Sequence, residues 1–394
     1  MSRALRTARL GAFLTFVIAG VLCGTFTVRI PALADRLGMA EGEVGMVLLA
    51  WGLGALVSMQ ALRGVLARTG SGAVLRVAGP LCAGSLLLVG YVGSVPALVA
   101  VAAANGLAFG AMDVAMNAQG SAVERRAGQP LLGGMHAGWC VGAITAGLLG
   151  TAAIAADLPL AAHVTLVAVP ALPVTPLLGR WYLRDHVRAA ESASARRLPP
   201  VVYLLGAITF GAFMVEGIVA DWNGLYLRDV LRAPEALAAL GYPVFEAGML
   251  LGRLSGDRLR TRFGATGLIV VSGLATAGTY GMVILVPSPV AAVAGMSLVG
   301  LSVAMISPLA LSLAGTATAT PGPAIAQAGA MGYAGLLLGP VLIGLLSGAT
   351  SLRIALVTAV VLGILIAVAA RFLPKTARSK EIRPETEERV LVAA

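Results

Sequence analysis

In the stretch 105–120, NGLAFGAMDVAMNAQG, an aspartate interrupts an apolar run that starts near Val95 and ends at Glu124, Arg125 and Arg126. At about 1.5 Å per residue, Asp113 lies roughly 15 to 18 Å from that charged end, close to the middle of a hydrocarbon core about 30 Å thick. An ionisable group at that depth is costly, so it faces a bundle interior or a watery cavity and reads as functional. The chemistry open to it is proton transfer, because a carboxyl group that meets water from alternate sides can load and release a proton. The plainer reading is a structural acid bonded to a neighbouring helix. Gly106, Gly110, Asp113, Asn117 and Gly120 follow helical spacing, so Asn117 shares a small, polar face with the acid.

Other residues capable of chemistry sit in similar apolar runs. Glu216 shares a face with Thr209 and Asn223, each seven residues away, and Trp222 adds an aromatic surface. Mixed polar and aromatic walls of this kind suit sugars and other amphipathic ligands. The plainer reading is an interfacial tryptophan beside a packed glutamate. Glu246 lies one turn from Tyr242 and two turns from Arg253, which suits either substrate contact or a charge relay. His136, Trp139 and Cys140 fall on one face at i, i+3 and i+4, so His136 could exchange protons or bond a substrate. A histidine satisfied near a helix start is the plainer alternative. Cys23, Cys82 and Cys140 lie within apolar runs and have no CxxC spacing, so they read as free thiols without a metal.

The elements that must position these groups are membrane helices. With 58% hydrophobic and 12% charged residues among 394 and a mean hydropathy of +0.91, the composition excludes a soluble globular domain. Fifty glycines and long Ala/Leu/Val runs suit helices packed through small residues, whereas the short alternating segments of a barrel are missing. The reading is an all-α polytopic membrane protein with twelve spans near 10–30, 43–66, 73–93, 95–119, 131–155, 158–180, 201–225, 236–256, 265–286, 288–314, 323–348 and 351–373. Sorting the 28 Lys and Arg residues by alternate loops puts 23 on one side and 5 on the other, which predicts both termini in the cytoplasm of a plasma-membrane protein. The net charge of +10 therefore reads as loop asymmetry and implies no nucleic-acid partner.

The polar stretch RDHVRAAESASARRLPP, from Arg184, divides the chain near its midpoint. The expected organisation is a six-helix bundle at 1–184, a cytoplasmic linker at 185–200, a second bundle at 201–373 and a cytoplasmic tail at 374–394. His186, in the linker, reads as solvated. A constant shift of 194 residues supports two pseudo-symmetric halves: Thr15-Phe16 meets Thr209-Phe210, Arg68 and Gly70 meet Arg262 and Gly264, Gly106-Leu107 meets Gly300-Leu301, and Gly138-Trp139 meets Gly332-Tyr333. Parallel repeats with a site at their midplane interface are a known transporter plan. Pro31, Pro308 and Pro340 lie in or at the ends of spans, where they allow a bend or a hinge.

Taken with GRLSGDRLRTRFG at Gly252 to Gly264, this organisation resembles the major facilitator superfamily. Asp257 and Arg258 match the Asp-Arg pair of its loop motif, and with Arg253 they read as a cytoplasmic gate. The first-half loop, GVLARTGSG from Gly64, has no acid. MDVAMNAQG at Met112 to Gly120 is similar to the acid-x-x-x-Asn pattern in the fourth span of the fucose-permease-like branch. VERRAGQPLLGGMHAGWCVGA and EGIVADWNGLYL look like its bacterial sugar-permease-like members. That branch also uses a first-span acid, and the comparable position here is Thr27. The resemblance implies alternating access, a cavity lined by the first, fourth, seventh and tenth spans, and lipid contact by the third, sixth, ninth and twelfth. Asp113, Glu216 and Glu246 avoid the four lipid-facing spans.

The expected function is proton-coupled transport of a small polar molecule, a sugar or related metabolite, with Asp113 and Glu216 as coupling acids. Asn117, Thr209, Trp222, Asn223, His136, Trp139 and Glu246 are the substrate-site candidates. No cofactor is implied beyond a proton gradient, and the expected partners are the substrate and the bilayer, with the chain a monomer. A drug or metabolite efflux antiporter is the alternative, although the fourth span carries no arginine and the fifth no proline. A non-transporting sensor is less favoured because the tail is short. An enzyme is disfavoured by the lack of a Walker lysine, HExxH or G-x-S-x-G.

Overall fold

The computed structural model describes residues 2–128, 131–185, 198–318 and 321–373, and among them every regular element is a helix. Eleven helical stretches are long and apolar enough to cross a membrane: Arg3–Leu37, Glu41–Ala61, Ser71–Val89, Val95–Ala127, Leu132–Ala155, Leu160–Leu178, Pro200–Val230, Ala265–Leu285, Pro289–Thr316, Pro323–Ala349 and Leu352–Ala370. Between the seventh and eighth of these lies Gly241–Phe263, whose 23 residues suffice to span but include Glu246, Arg253 and a charged end. It completes the twelve spans expected, and below it is the eighth span. His186 and the rest of the expected linker from 186 to 197 lie outside the described residues, as does the tail from 374.

Local sequence sets the ends of these helices. Ser94 and Ser288, 194 residues apart, each accept a bond from the backbone N–H three residues on, with Pro96 and Pro289 in the first turns they cap. Gly70 and Gly264, also 194 apart, adopt φ of +79° and +70° with ψ of 163° and 162°, an extended positive-φ geometry that a side chain would strain. The first span breaks at Arg29, before Pro31, and the tenth at Ala304 and Met305, before Pro308. Pro340 lies within the eleventh span, which stays continuous. Thus two of the three prolines accompany interruptions and one does not.

Packing repeats with the same shift. The second span packs on the fourth as the eighth packs on the tenth, and the first on the fifth as the seventh on the eleventh. The third packs on the sixth as the ninth packs on the twelfth. Two pairs of close backbone approaches show the register. Gly106 lies against the Trp51 carbonyl and Gly300 against that of Phe245, while Gly54 lies against Ala103 and Gly248 against Ser297. Only glycine lets helix axes approach so closely, and in lipid such packing substitutes for the hydrophobic drive between helices. The sixth and twelfth spans have many lipid-type exposed side chains, including Leu166, Val169, Leu177, Val361 and Leu365.

The two sets of six spans meet mainly through the second against the eleventh and the fifth against the eighth. Close approaches lie toward the end opposite the linker: Gly24 with Tyr242, Gly147 with Pro243, Gly45 with Pro340, and Gly344 with Glu41. Arg228 of the second set closes the same end by donating to the Pro31 carbonyl at 2.7 Å and to Asp35 Oδ2 at 2.6 Å. The molecule is sealed at that end.

Candidate functional site

Between the two sets of spans lies a central cavity of roughly 280 Å³. The first, second, fourth, fifth, seventh, eighth and eleventh spans line it, and its polar groups come in layers. Asp113 and Tyr333 occupy opposite walls, with Tyr333 Oη donating to Asp113 Oδ2 at 2.8 Å. This bond joins the fourth span to the eleventh and therefore joins the two sets of helices. Asn117 lies one turn along from Asp113 and donates from Nδ2 to the backbone carbonyl at 2.9 Å and to Oδ1 at 3.3 Å. It orients the acid and does not itself line the cavity.

Glu216 faces the cavity from the seventh span. Ser307 Oγ donates to its Oε1 at 3.2 Å, and Arg253 Nη2 stands 4.0 Å from its Oε2. Ser307 is 194 residues from Asp113, so the position repeated in the second half holds the acid of the neighbouring span rather than an acid of its own. Arg253 reaches the other half as well, donating from Nη1 to Cys140 Sγ at 3.0 Å. Because its guanidinium is always charged, Arg253 offsets the charge of Glu216, with Glu246 also in its electrostatic reach, and ties the eighth span to the fifth. Arg253 is thus a cavity residue, well inside the end at which a gate was expected. Cys140 is a free thiol, as are Cys23 and Cys82.

Glu246 is buried at 7% exposure and lines the cavity, with its Oε2 left without a hydrogen-bond partner. His136 and Trp139 also line it. The His136 ring meets Phe16 edge to face at 5.0 Å, and Trp139 meets Phe109 in the same manner at 5.8 Å, so both rings are held by packing within the first half. Thr27, at the position where the resemblance implies an acid, faces the cavity.

Besides Asn117, three residues expected on the substrate wall are placed elsewhere. Thr209 is fully buried and its hydroxyl donates to the Leu205 carbonyl of its own helix. Asn223 accepts from Tyr280 Oη at 3.0 Å and donates to Met296 Sδ, which spends its amide on packing against the ninth and tenth spans. Trp222 is fully buried against the sealed end. Seven residues return to within about 20° of the same face but shift about 10.5 Å along the axis, so Thr209 and Asn223 lie above and below Glu216 at depths where neighbouring helices pack.

Asp221 carries no motif of its own in the sequence, yet it lines the cavity. It sits four residues before the expected end of the seventh span, where an acid reads as interfacial. The helix instead runs on past Leu225 through a wider turn, Tyr226–Val230, which keeps Asp221 inside the bundle. No hydrogen bond or ion pair engages it among the described residues. The signal that could have found it is the apolar-aromatic run WNGLYL that follows.

At the linker end, the acid absent from the first-half loop comes from elsewhere in the chain. Asp185 accepts from the Ser71 backbone N–H at 3.0 Å and from its hydroxyl at 2.8 Å, beside Gly70. A carboxylate at the start of the third span satisfies its free N–H groups and suits its positive dipole end. Arg258 is exposed, and the Asp257 side chain lies outside the described residues.

A membrane carrier built from two repeated sets of six helices around a central charged cavity is the class defined by this arrangement. The chain belongs to the Major Facilitator Superfamily, whose profile matches residues 12–322. It is 33% identical over 358 residues to an uncharacterized transporter, y4wD, of Sinorhizobium fredii, covering 89% of this chain and 94% of that one. It is also 32% identical to an uncharacterized MFS-type transporter of Yersinia pestis, covering 91% and 94%. Among solved structures, the fold is similar to a mutant form of the nucleoside transporter NupG, with a TM-score of 0.72, 16% identity and coverage of 94% and 99%. A bacterial homologue of the human lysosomal transporter Spinster, in an inward-facing and unoccupied conformation, matches with a TM-score of 0.75, 14% identity and coverage of 94% and 98%. The protein is a transporter and not an enzyme.

Proposed function

We propose that this transporter moves a small polar molecule, a sugar or related metabolite, by proton-coupled alternating access, with Asp113 as the coupling acid. The observation that carries the reading is the Tyr333–Asp113 bond: the one acid at mid-membrane depth in the fourth span is held by a donor from the opposite half. A proton on Asp113 removes the charge that this bond favours, so protonation and the relative position of the halves are linked. Glu216, balanced by Arg253 and Ser307, serves as the second titrating group.

On this reading 1–184 and 201–373 rock as two bundles joined by a cytoplasmic linker at 185–200, followed by a cytoplasmic tail. The seal through Arg228 is then the periplasmic gate, and the structure is the inward-facing state of a monomer in the plasma membrane. The acid-x-x-x-Asn pattern at Asp113 and Asn117 supports the fucose-permease-like branch, with Thr27 in place of the first-span acid. His136, Trp139 and Glu246 contact the substrate. The test is transport in proteoliposomes with an imposed pH gradient, comparing the wild type with Asp113→Asn. Accumulation in the wild type and its loss in the variant support the proposal, while gradient-driven accumulation that survives unchanged refutes it.

A further inference from the structure

Four carboxylates line the cavity, Asp113, Glu216, Asp221 and Glu246, against a single guanidinium, Arg253. Two of the four are already engaged. Asp113 is bonded to Tyr333 and Asn117, and Glu216 is bonded to Ser307 and paired with Arg253. The other two are less fully engaged. Asp221 has no hydrogen-bond or ion-pair partner among the described residues, and Glu246 is more than nine-tenths buried with Oε2 unpartnered, its carboxylate otherwise beside Tyr242 and Cys140. An uncompensated carboxylate away from water is expensive, and removing its partner from a buried pair is more so. Such groups persist where something else supplies the positive charge.

The two acids share surroundings at one end of the cavity. Both lie within electrostatic reach of Cys23 and of Tyr242, one from the seventh span and one from the eighth. Along its helix, Asp221 is five residues beyond Glu216 toward the sealed end, roughly 7.5 Å, and Glu246 is seven residues before Arg253 on the same side, roughly 10 Å. The cavity is therefore polarised, with its guanidinium toward the linker and Asp221 and Glu246 toward the sealed end. Phe26, Tyr242 and Phe245 line that end as well. Aromatic faces beside paired carboxylates favour an organic cation. A metal ion needs several hard ligands converging on one point, and no three carboxylate, thiol or imidazole groups do so among the described residues.

We infer that Asp221 and Glu246 form an ammonium-binding subsite at the sealed end of the cavity, so that the transported molecule carries an amine. This rests on the transport reading and narrows it: the substrate is a small polar amine, such as an amino sugar or a diamine, whose ammonium group sits between the two acids and whose hydroxyl groups face Arg253 and His136. Neither acid is the coupling acid in this arrangement, which leaves Asp113 free to exchange its proton while the substrate is bound.

The test uses the full chain purified in detergent, with no gradient, and probe pairs that differ in one type of group: glucosamine with glucose, galactosamine with galactose, and putrescine with 1,4-butanediol. Thermal stabilisation is titrated for each at fixed pH and ionic strength. The expected result is that at least one amine binds tenfold or more tightly than its hydroxyl partner, the factor that loss of a charge-assisted bond supplies. That preference falls below threefold in Asp221→Asn and in Glu246→Gln and persists in Asp113→Asn. Three results overturn the inference: no amine stabilises the wild type, hydroxyl partners bind as well as amines, or the preference survives both substitutions. A sodium titration against potassium is the fourth arm. Sodium-specific stabilisation lost in Asp221→Asn assigns the subsite to an inorganic cation and also overturns it. Because binding is read without a gradient, amine selectivity without proton-driven transport refutes the coupling role of Asp113 alone. Proton-driven transport of a neutral sugar with no amine preference refutes the subsite alone.

Discussion

Replacing Tyr333 by phenylalanine removes one hydroxyl group and nothing else from the contact between the halves. In the structure that hydroxyl donates to Asp113 Oδ2 at 2.8 Å, within the accepted range for a bond to a carboxylate. A hydrogen bond to a charged group contributes about 1.5 to 3 kcal/mol. Asn117 remains as a second donor to the same acid at 3.3 Å, so the lower figure applies. About 1.5 kcal/mol is roughly a tenfold change in an equilibrium constant. If the bond belongs to the conformation described here, Tyr333→Phe shifts the balance between this state and its alternative about tenfold toward the alternative. The assay is double electron–electron resonance between spin-labelled non-natural residues at Arg125 and Arg258, both exposed, one on each half. The expected change is growth of the short-distance population at the linker end. A distribution altered less than twofold refutes the reasoning, and so does an equal shift when Tyr333→Phe is made in an Asp113→Ala background, because the bond is then already gone.

Three further outcomes follow from other contacts. Arg228→Gln loses the bond to the Pro31 carbonyl and the ion pair to Asp35, whose side chain is 64% exposed and therefore adds little. The loss comes to about 2 kcal/mol, so the same spin-label measurement placed at the sealed end should show opening by roughly thirtyfold, while Asp35→Asn changes it less than fivefold. Gly106→Val and Gly300→Val drive a side chain into the Trp51 and Phe245 carbonyls, and overpacking of this kind costs about 1 to 3 kcal/mol or more. Both should lower the melting temperature of the purified protein, whereas Gly278→Val, which meets open space, should not. Asp185→Ala leaves the start of the third span without its acceptor, and faster hydrogen exchange at Ser71 and its neighbours is expected, with Asp185→Asn intermediate.

Much of this architecture is legible in the amino-acid sequence because lipid enforces simple rules. Apolar run length marks where each span lies, although the first helix begins at Arg3 and the fourth and eighth spans run on to Ala127 and Phe263, and the shift of 194 matches glycine approaches, serine caps and positive-φ glycines in both halves. Asp113, Glu216, Glu246, His136 and Trp139 can be read as cavity residues because an ionisable or polar group in an apolar helix has few other places to go. Thr209, Trp222 and Asn223 cannot be placed from spacing. A threonine can satisfy its hydroxyl on its own helix, and an asparagine can satisfy its amide on a neighbour's tyrosine, so neither needs a cavity. Asp221 is hidden for the opposite reason, since its span runs farther than hydropathy marks it. The partnership of Asp185 with Ser71 joins residues 114 positions apart, which no local pattern encodes.

The central claim is that Asp113 couples proton movement to substrate movement. Proteoliposomes holding wild type or Asp113→Asn, given the radiolabelled substrate that the amine and hydroxyl pairs identify, separate coupling from binding in one comparison. Wild type is expected to accumulate substrate against its gradient when a pH gradient is imposed, and Asp113→Asn to exchange internal for external substrate without accumulating it. Unchanged pH-driven accumulation in Asp113→Asn would contradict the claim.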